Sequence, residues 1–191
     1  MEEPLKLFMV LLGSKPLKRT VEQHDYFFGI ARSLQELVPQ MIEFWPEAGS
    51  SLHIDGWREI NHVDGYSVTV NAKSDLKAPE SGKRLFFVNL GGYQSGKLEE
   101  QHYTLLTVQE DRKGAIKTST MTPFFKEASI ASVKSASAHI DEKYGIDVDD
   151  IYRVDDVLSD ETRSKYDIVL SKCADGQHDQ IHLGYFKLDK L

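Results

Sequence analysis

Two identical tripeptides, Glu22-Gln23-His24 and Glu100-Gln101-His102, hold the side chains best suited to chemistry near neutral pH. Histidine serves there as acid, base or metal ligand, and all three side chains can hydrogen-bond. In an extended segment, residues i and i+2 share a face. Glu22 with His24, and Glu100 with His102, then form oriented carboxylate–imidazole pairs, with Gln23 and Gln101 turned to the opposite face. Such a pair is half of a general-base constellation, and no nucleophile is identifiable beside it. Two readings stay open. The triplets are structural, bonding to nearby loop backbone or joining two halves of the chain, or they bind a ligand or act in catalysis. Two histidines and two carboxylates would suit zinc or a non-haem metal if an axis brought both triplets together. That geometry cannot be read from sequence, so no metal site is assigned and any cofactor remains unknown.

Other motifs carry less. Gly91-Gly92-Tyr93-Gln94-Ser95-Gly96-Lys97 has the glycine and lysine spacing of a phosphate-binding loop. Leu98 stands where a magnesium-holding hydroxyl is needed, and a strand follows where a helix N-terminus is needed. A turn is the better reading. His53 to Glu59, with His62 and Asp64, is the densest polar cluster of the first half; its counterpart keeps an Asp, an aromatic residue and an Arg but no histidine. That favours a shared Asp–Arg pairing, with a site confined to the first half as the alternative. His178-Asp179-Gln180-Ile181-His182 suits a metal only on a helix, and a strand is expected there. Cys173 has no activating neighbour in sequence.

The elements that must position these residues are written twice. Lys6-Leu7-Phe8-Met9-Val10-Leu11-Leu12-Gly13 recurs as Arg84-Leu85-Phe86-Phe87-Val88-Asn89-Leu90-Gly91, displaced by 78 positions, and the tripeptides recur at the same displacement. Eight of the nineteen positions from 6 to 24 are identical, all of them outside the loop Ser14 to Val21. Asp55-Gly56-Trp57-Arg58 aligns with Asp150-Ile151-Tyr152-Arg153 at a displacement of 95. The excess of 17 residues is assigned to an insertion over 109–125, read as an extra hairpin because Asp111-Arg112-Lys113-Gly114 signals a turn before β-branched residues.

The runs 5–12 and 84–90 are nearly all apolar and read as strands buried on both faces. Further strands are expected at 26–31, 104–109, 66–70, 168–170 and 181–186. Ser33 to Glu36 is a capping-box pattern ahead of a helix carrying Leu37, Val38, Met41, Ile42 and Trp45, with Pro39 either kinking it or opening it afresh. A second helix is expected over 129–144. The predicted fold is α+β (or α/β): an internal duplication of a strand-strand-helix-strand unit with mixed sheets, packed about a pseudo-twofold into one compact body. Its parts are a first repeat at 1–72, a linker at 73–83, and a second repeat at 84–191 with the inserted hairpin and an extra C-terminal strand.

The strand and glycine of 6–13 and 84–91, the Glu-Gln-His pairs and the stretch His53 to Val70 resemble a bacterial family carrying the domain of unknown function 1543. The resemblance implies a tandem, two-copy member and brings no activity or catalytic residues with it.

Composition narrows the remaining field. The 191 residues include 30 Asp and Glu against 23 Lys and Arg, a formal charge of −7, which argues against a grip on nucleic acid or an anionic membrane. One cysteine excludes an internal disulfide framework. No apolar run reaches the roughly 20 residues that span a bilayer, and no basic leader precedes Leu7 to Leu12, so a soluble cytoplasmic monomer or homodimer is expected. Function stays unassigned. The leading expectation is a small polar ligand in a cleft between the repeats, lined by Gln23, Gln101, Gly13 and Gly91. The alternatives are a hydrolase or transferase using His24 or His102 as general base beside Glu22 or Glu100, and a structural interaction module.

Overall fold

Strand β1 (Lys6–Ser14) fulfils the expectation of a doubly covered strand: Leu7, Phe8, Met9, Val10 and Leu12 are all buried. In the computed structural model, which describes residues 3–73, 82–93, 98–122, 146–174 and 176–191, β1 is hydrogen-bonded on both edges. β2 (Gln23–Ala31) lies antiparallel on one side and β3 (His53–Glu59) on the other. Alternation then divides the side chains between two faces. Phe8, Val10 and Leu12 join Phe27, Leu37, Met41, Leu52 and Ile54 in the main core. Each fully buried side chain of this kind contributes about 1.5–3 kcal/mol.

The cover of that core begins with a 3₁₀ turn at Gln35–Leu37 and helix α1 (Val38–Phe44). Pro39 sits in the first turn of α1, so the helix opens afresh there. The expected capping box does not form as written. Glu36 Oε2 accepts from Arg32 N at 2.9 Å, while Ser33 makes no cap bond.

After β3 come the short β4 (His62–Val63) and β5 (Tyr66–Ala72), joined by a two-residue turn. Asp64 and Gly65 both have positive φ, 52° and 73°, the conformation that matches strand twist in tight hairpins. β6 (Arg84–Tyr93) repeats the arrangement of β1, with β7 (Glu100–Gln109) on one edge and β8 (Ile146–Arg153) on the other. Strands β9 (Tyr166–Lys172) and β10 (His182–Lys187) end the chain. The described strands therefore make three sheets, in the orders β10-β3-β1-β2, β4-β5-β9 and β7-β6-β8. All their pairings are antiparallel, and with the helices the architecture is α+β.

Several expectations are corrected. Residues 112–119 are helical (α2, Arg112–Ser119) where a hairpin over 109–125 was expected. The apparent turn signal is a helix start, because Asp111 Oδ1 accepts from Gly114 N at 2.8 Å. The chain divides into one compact unit of Met1–Pro79 with Val157–Leu191, and a second of Glu80–Asp156. The C-terminal strands lie in the first of these units, where β9 pairs with β5 and β10 with β3. Sequence marks such segments as strands but says nothing about whose open edge they fill. The predicted helix over 129–144, most of the linker, and Gln94 to Lys97 lie outside the described residues.

Asp111→Ala should reduce the stability of the second unit by about 0.5–2 kcal/mol, read as a shift of its urea midpoint at unchanged slope. A hairpin at 109–125 would leave that midpoint in place.

Candidate functional site

The register around Gly13 builds the site. Gly13 pairs with His24 on β2 and with His53 on β3, so one row across three strands reads His24, Gly13, His53. Neighbouring strands lie about 4.8 Å apart, and side chains in one row stand on the same face. Glycine leaves the middle of the row vacant, and the neighbours use that room. A Cβ on Gly13 would come within 2.3 Å of Asp55 Oδ2 and 2.5 Å of His53 Nε2.

Asp55 arrives through a β-bulge. Leu11 pairs with Gly56 and Leu12 with Ile54, leaving Asp55 unpaired between them. The extra residue lets Ile54 and Trp57 both reach the core, while His53 and Asp55 turn to the face of Gly13. Glu22, two residues before His24, joins from the entry to β2.

His53 is the rigid member. Its side chain is only 4% exposed, and the Tyr185 ring lies over it with centroids 4.3 Å apart. The carbonyl of Ser51 accepts from Nδ1 at 2.8 Å. A carbonyl can only accept, so Nδ1 carries a proton and Nε2 points the other way, into the cluster. That Nε2 faces Glu22 Oε1 and Asp55 Oδ1, each at 3.2 Å, and has no hydrogen-bond partner. The other Asp55 oxygen, Oδ2, is also buried without a hydrogen bond and lies 3.0 Å from His24 Nε2. His24, about half exposed, is 3.9 Å from Glu22. Two carboxylates and two imidazoles thus converge, with the exposed members, Glu22 and His24, on the solvent side.

Some predicted residues take their expected positions and others do not. Glu22 with His24, and Glu100 with His102, are both oriented pairs at 3.9 Å. Gln23 turns away, its amide donating to the Val21 carbonyl at 3.1 Å, and Gln101 on β7 is half-buried. Gly91 pairs with His102 as Gly13 pairs with His24, but its other neighbour is Asp147 where Gly13 has His53. The Asn89 amide lies 3.4 Å from His102 Nδ1. The register also moves the alignment of the two halves. Val10 faces Trp57 and Val88 faces Ile151, a displacement of 94 between those partners where 95 was expected. Two identities in four residues cannot resolve a one-residue slip at a bulge.

The expected Asp–Arg pairing is absent among the described residues. Asp55 meets the two histidines, and Arg58 donates to Met9 Sδ at 3.7 Å. Burial lowers the Arg58 guanidinium from its ordinary pKa, partly offset by the charge of Asp179. Asp150 accepts from the Tyr152 hydroxyl, and Arg153 lies near Asp155 and Asp156. His178 and His182 share no site: Asp179 accepts from the backbone of Asn61 and His62, and His182 stacks on Trp57 at 4.0 Å. Cys173 is half-buried, and its N–H donates to Gly65. What sequence reasoning missed is the joining of His53 and Asp55 to the first triplet. The available signal was Gly13, a glycine ending an apolar strand, where another backbone or side chain must come close.

The molecule is therefore an α+β protein of antiparallel sheets with a two-histidine, two-carboxylate cluster in its first unit. The model of a family described as Domain of Unknown Function (DUF1543) matches residues 19–70, a segment that includes all four cluster residues. The chain is also similar in fold to protein Il1583 from Idiomarina loihiensis, a solved structure, with a TM-score of 0.63 and 22% identity over 96% of this chain and 97% of that one. No curated protein matches. Among the described residues, no helix is long and apolar enough to cross a membrane.

Gly13→Ala should cost about 1–3 kcal/mol in urea unfolding, because its Cβ must displace Asp55 or His53. An unchanged midpoint would mean that these side chains are free to swing away.

Proposed function

We propose that the first unit binds a small, positively charged ligand at Glu22, His24, His53 and Asp55. One observation carries the reading: His53, buried and anchored through Nδ1, directs at two carboxylates an Nε2 that makes no hydrogen bond. An unsatisfied buried polar group costs about 1–3 kcal/mol. A fold keeps such an arrangement where a ligand supplies the missing interaction. The two carboxylates make a cation the natural occupant and an anion an unfavourable one. Tyr185, stacked on His53, also lines a separate cleft of about 520 Å³ with Trp45, Leu52, Leu188 and Asp189.

The second reading is a hydrolase or transferase with His24 as general base. The 3.0 Å separation of His24 Nε2 and Asp55 Oδ2 favours it, since a carboxylate beside an imidazole stabilises the imidazolium formed on proton transfer. Ser14 Oγ, next to Gly13 in sequence, is committed elsewhere, bonded to Ala48 O and Ser51 Oγ, and water would be the attacking group.

We also infer an internal duplication. In its support, Gly13 pairs with His24 and Gly91 with His102, and both central strands shift register at equivalent points, Leu11/Leu12 and Asn89/Leu90. With Asp147 in the row position of His53, the second unit carries the Glu-Gln-His pair without the buried imidazole.

Neutralising the carboxylates separates binding from structure. In chelator-treated protein, Glu22→Gln and Asp55→Asn should leave the melting temperature unchanged or raise it, because each relieves crowding of negative charge. A fall of about 4 °C or more in both, equivalent to about 1–2 kcal/mol in a chain of this size, would make the cluster a structural salt-bridge network.

A further inference from the structure

We infer that the ligand of this cluster is a single divalent transition-metal ion held by Glu22, His53 and Asp55, an inference that rests on the cluster's being a binding site. Donor spacing selects an ion over an organic cation. Metal bonds from imidazole and carboxylate are about 2.0–2.2 Å, so donors in a tetrahedral shell sit about 3.3–3.5 Å apart. His53 Nε2 lies 3.2 Å from Glu22 Oε1 and 3.2 Å from Asp55 Oδ1, and the three residues each bring a donor atom within 4.8 Å of the others. Acceptors around an ammonium nitrogen, with hydrogen bonds of about 2.7–2.9 Å, would stand about 4.5 Å apart. The pairs at His53 are too close for that.

The surroundings of His53 point the same way. A metal-ligating histidine donates its other ring N–H to a carbonyl or carboxylate, which fixes the tautomer and aims the lone pair. Nδ1 on the Ser51 carbonyl, with Nε2 buried, free of hydrogen bonds and facing two carboxylates, is that arrangement. Gly13 supplies the space, since any side chain there would occupy the region between His53 Nε2 and Asp55 Oδ2. One imidazole with two carboxylates suits zinc, manganese, iron or cobalt better than calcium or magnesium, which favour oxygen alone. Three protein donors leave a coordination position free, and the exposed edge at Glu22 and His24 is its solvent side. His24, 3.0 Å from the second Asp55 oxygen, is a positioning residue that steadies the carboxylate.

The test titrates Co²⁺ into the chelator-stripped full chain, followed by calorimetry and by the visible absorption of the ion, with Zn²⁺ as competitor. One Co²⁺ per chain is expected, displaced by Zn²⁺. Loss of an outer-shell partner already weakens metal sites by about 10–100-fold, so Glu22→Gln and Asp55→Asn should each weaken binding by more than about a hundredfold. His62→Ala and His102→Ala should bind as the parent does. Glu22 is well exposed, so its variant folds even if changes at His53 do not. Absence of saturable Co²⁺ uptake, parental affinity in both carboxylate variants, or loss of binding in His102→Ala would each overturn the metal. The melting temperatures in chelator keep the two questions apart. Stable carboxylate variants with no Co²⁺ uptake would reject the metal and leave a binding site for another cation, whereas destabilised variants would reject the binding site itself.

Discussion

A strand hydrogen-bonded along both edges and covered on both faces has no freedom to slide. β1 is such a strand in the first unit: slipping it by one residue would exchange Phe8, Val10 and Leu12 for the side chains of the opposite face. That constraint pins Gly13 between His24 and His53. It also forces the mismatch between β1 and β3 to be absorbed by a bulge, and the bulge is where Asp55 is found. The cluster is thus a consequence of core packing on the other face of the same sheet. Rigid strands hold it, and the aromatic ring of Tyr185 keeps water from His53.

The second unit has the same strand arrangement without the same set of side chains. β6 is paired like β1 and its register shifts at the equivalent step, yet Asp147 occupies the row position of His53. A shared scaffold therefore does not carry a shared site, and the Glu-Gln-His pair alone does not define one. The pair orients one imidazole beside one carboxylate; the first unit adds a buried ring whose tautomer is set by backbone. In low-dielectric surroundings that difference is large, because an unpartnered polar atom there cannot turn to water.

Much of the fold was legible because its signals are local. Apolar runs bounded by glycine marked β1 and β6, alternation marked β5 and β9, and a fresh start at Pro39 was one of two readings for α1. The misses came where one local pattern serves two structures. Asp111 to Gly114 reads equally as a turn and as a capped helix start, and only tertiary packing of Ala115 beneath β6 favours the helix. Strand partners were the other failure. β9 and β10 were recognisable as strands, but the edges they complete belong to residues far earlier in the chain, as in the pairs Val68 with Leu170 and Trp57 with His182.

Sequence alone determined the alphabet of this protein: an acidic chain, strands with buried faces, and Glu22 and His24 directed to one side by the two-residue period of an extended backbone. The tertiary structure decided which other side chains meet them. His53 and Asp55 lie some thirty residues away, and nothing local distinguishes them from an ordinary polar strand end. They join the pair because β1 places a glycine between two histidines, and because a bulge turns Asp55 into the space that glycine leaves. Period sets the face of a side chain; only register sets its neighbours.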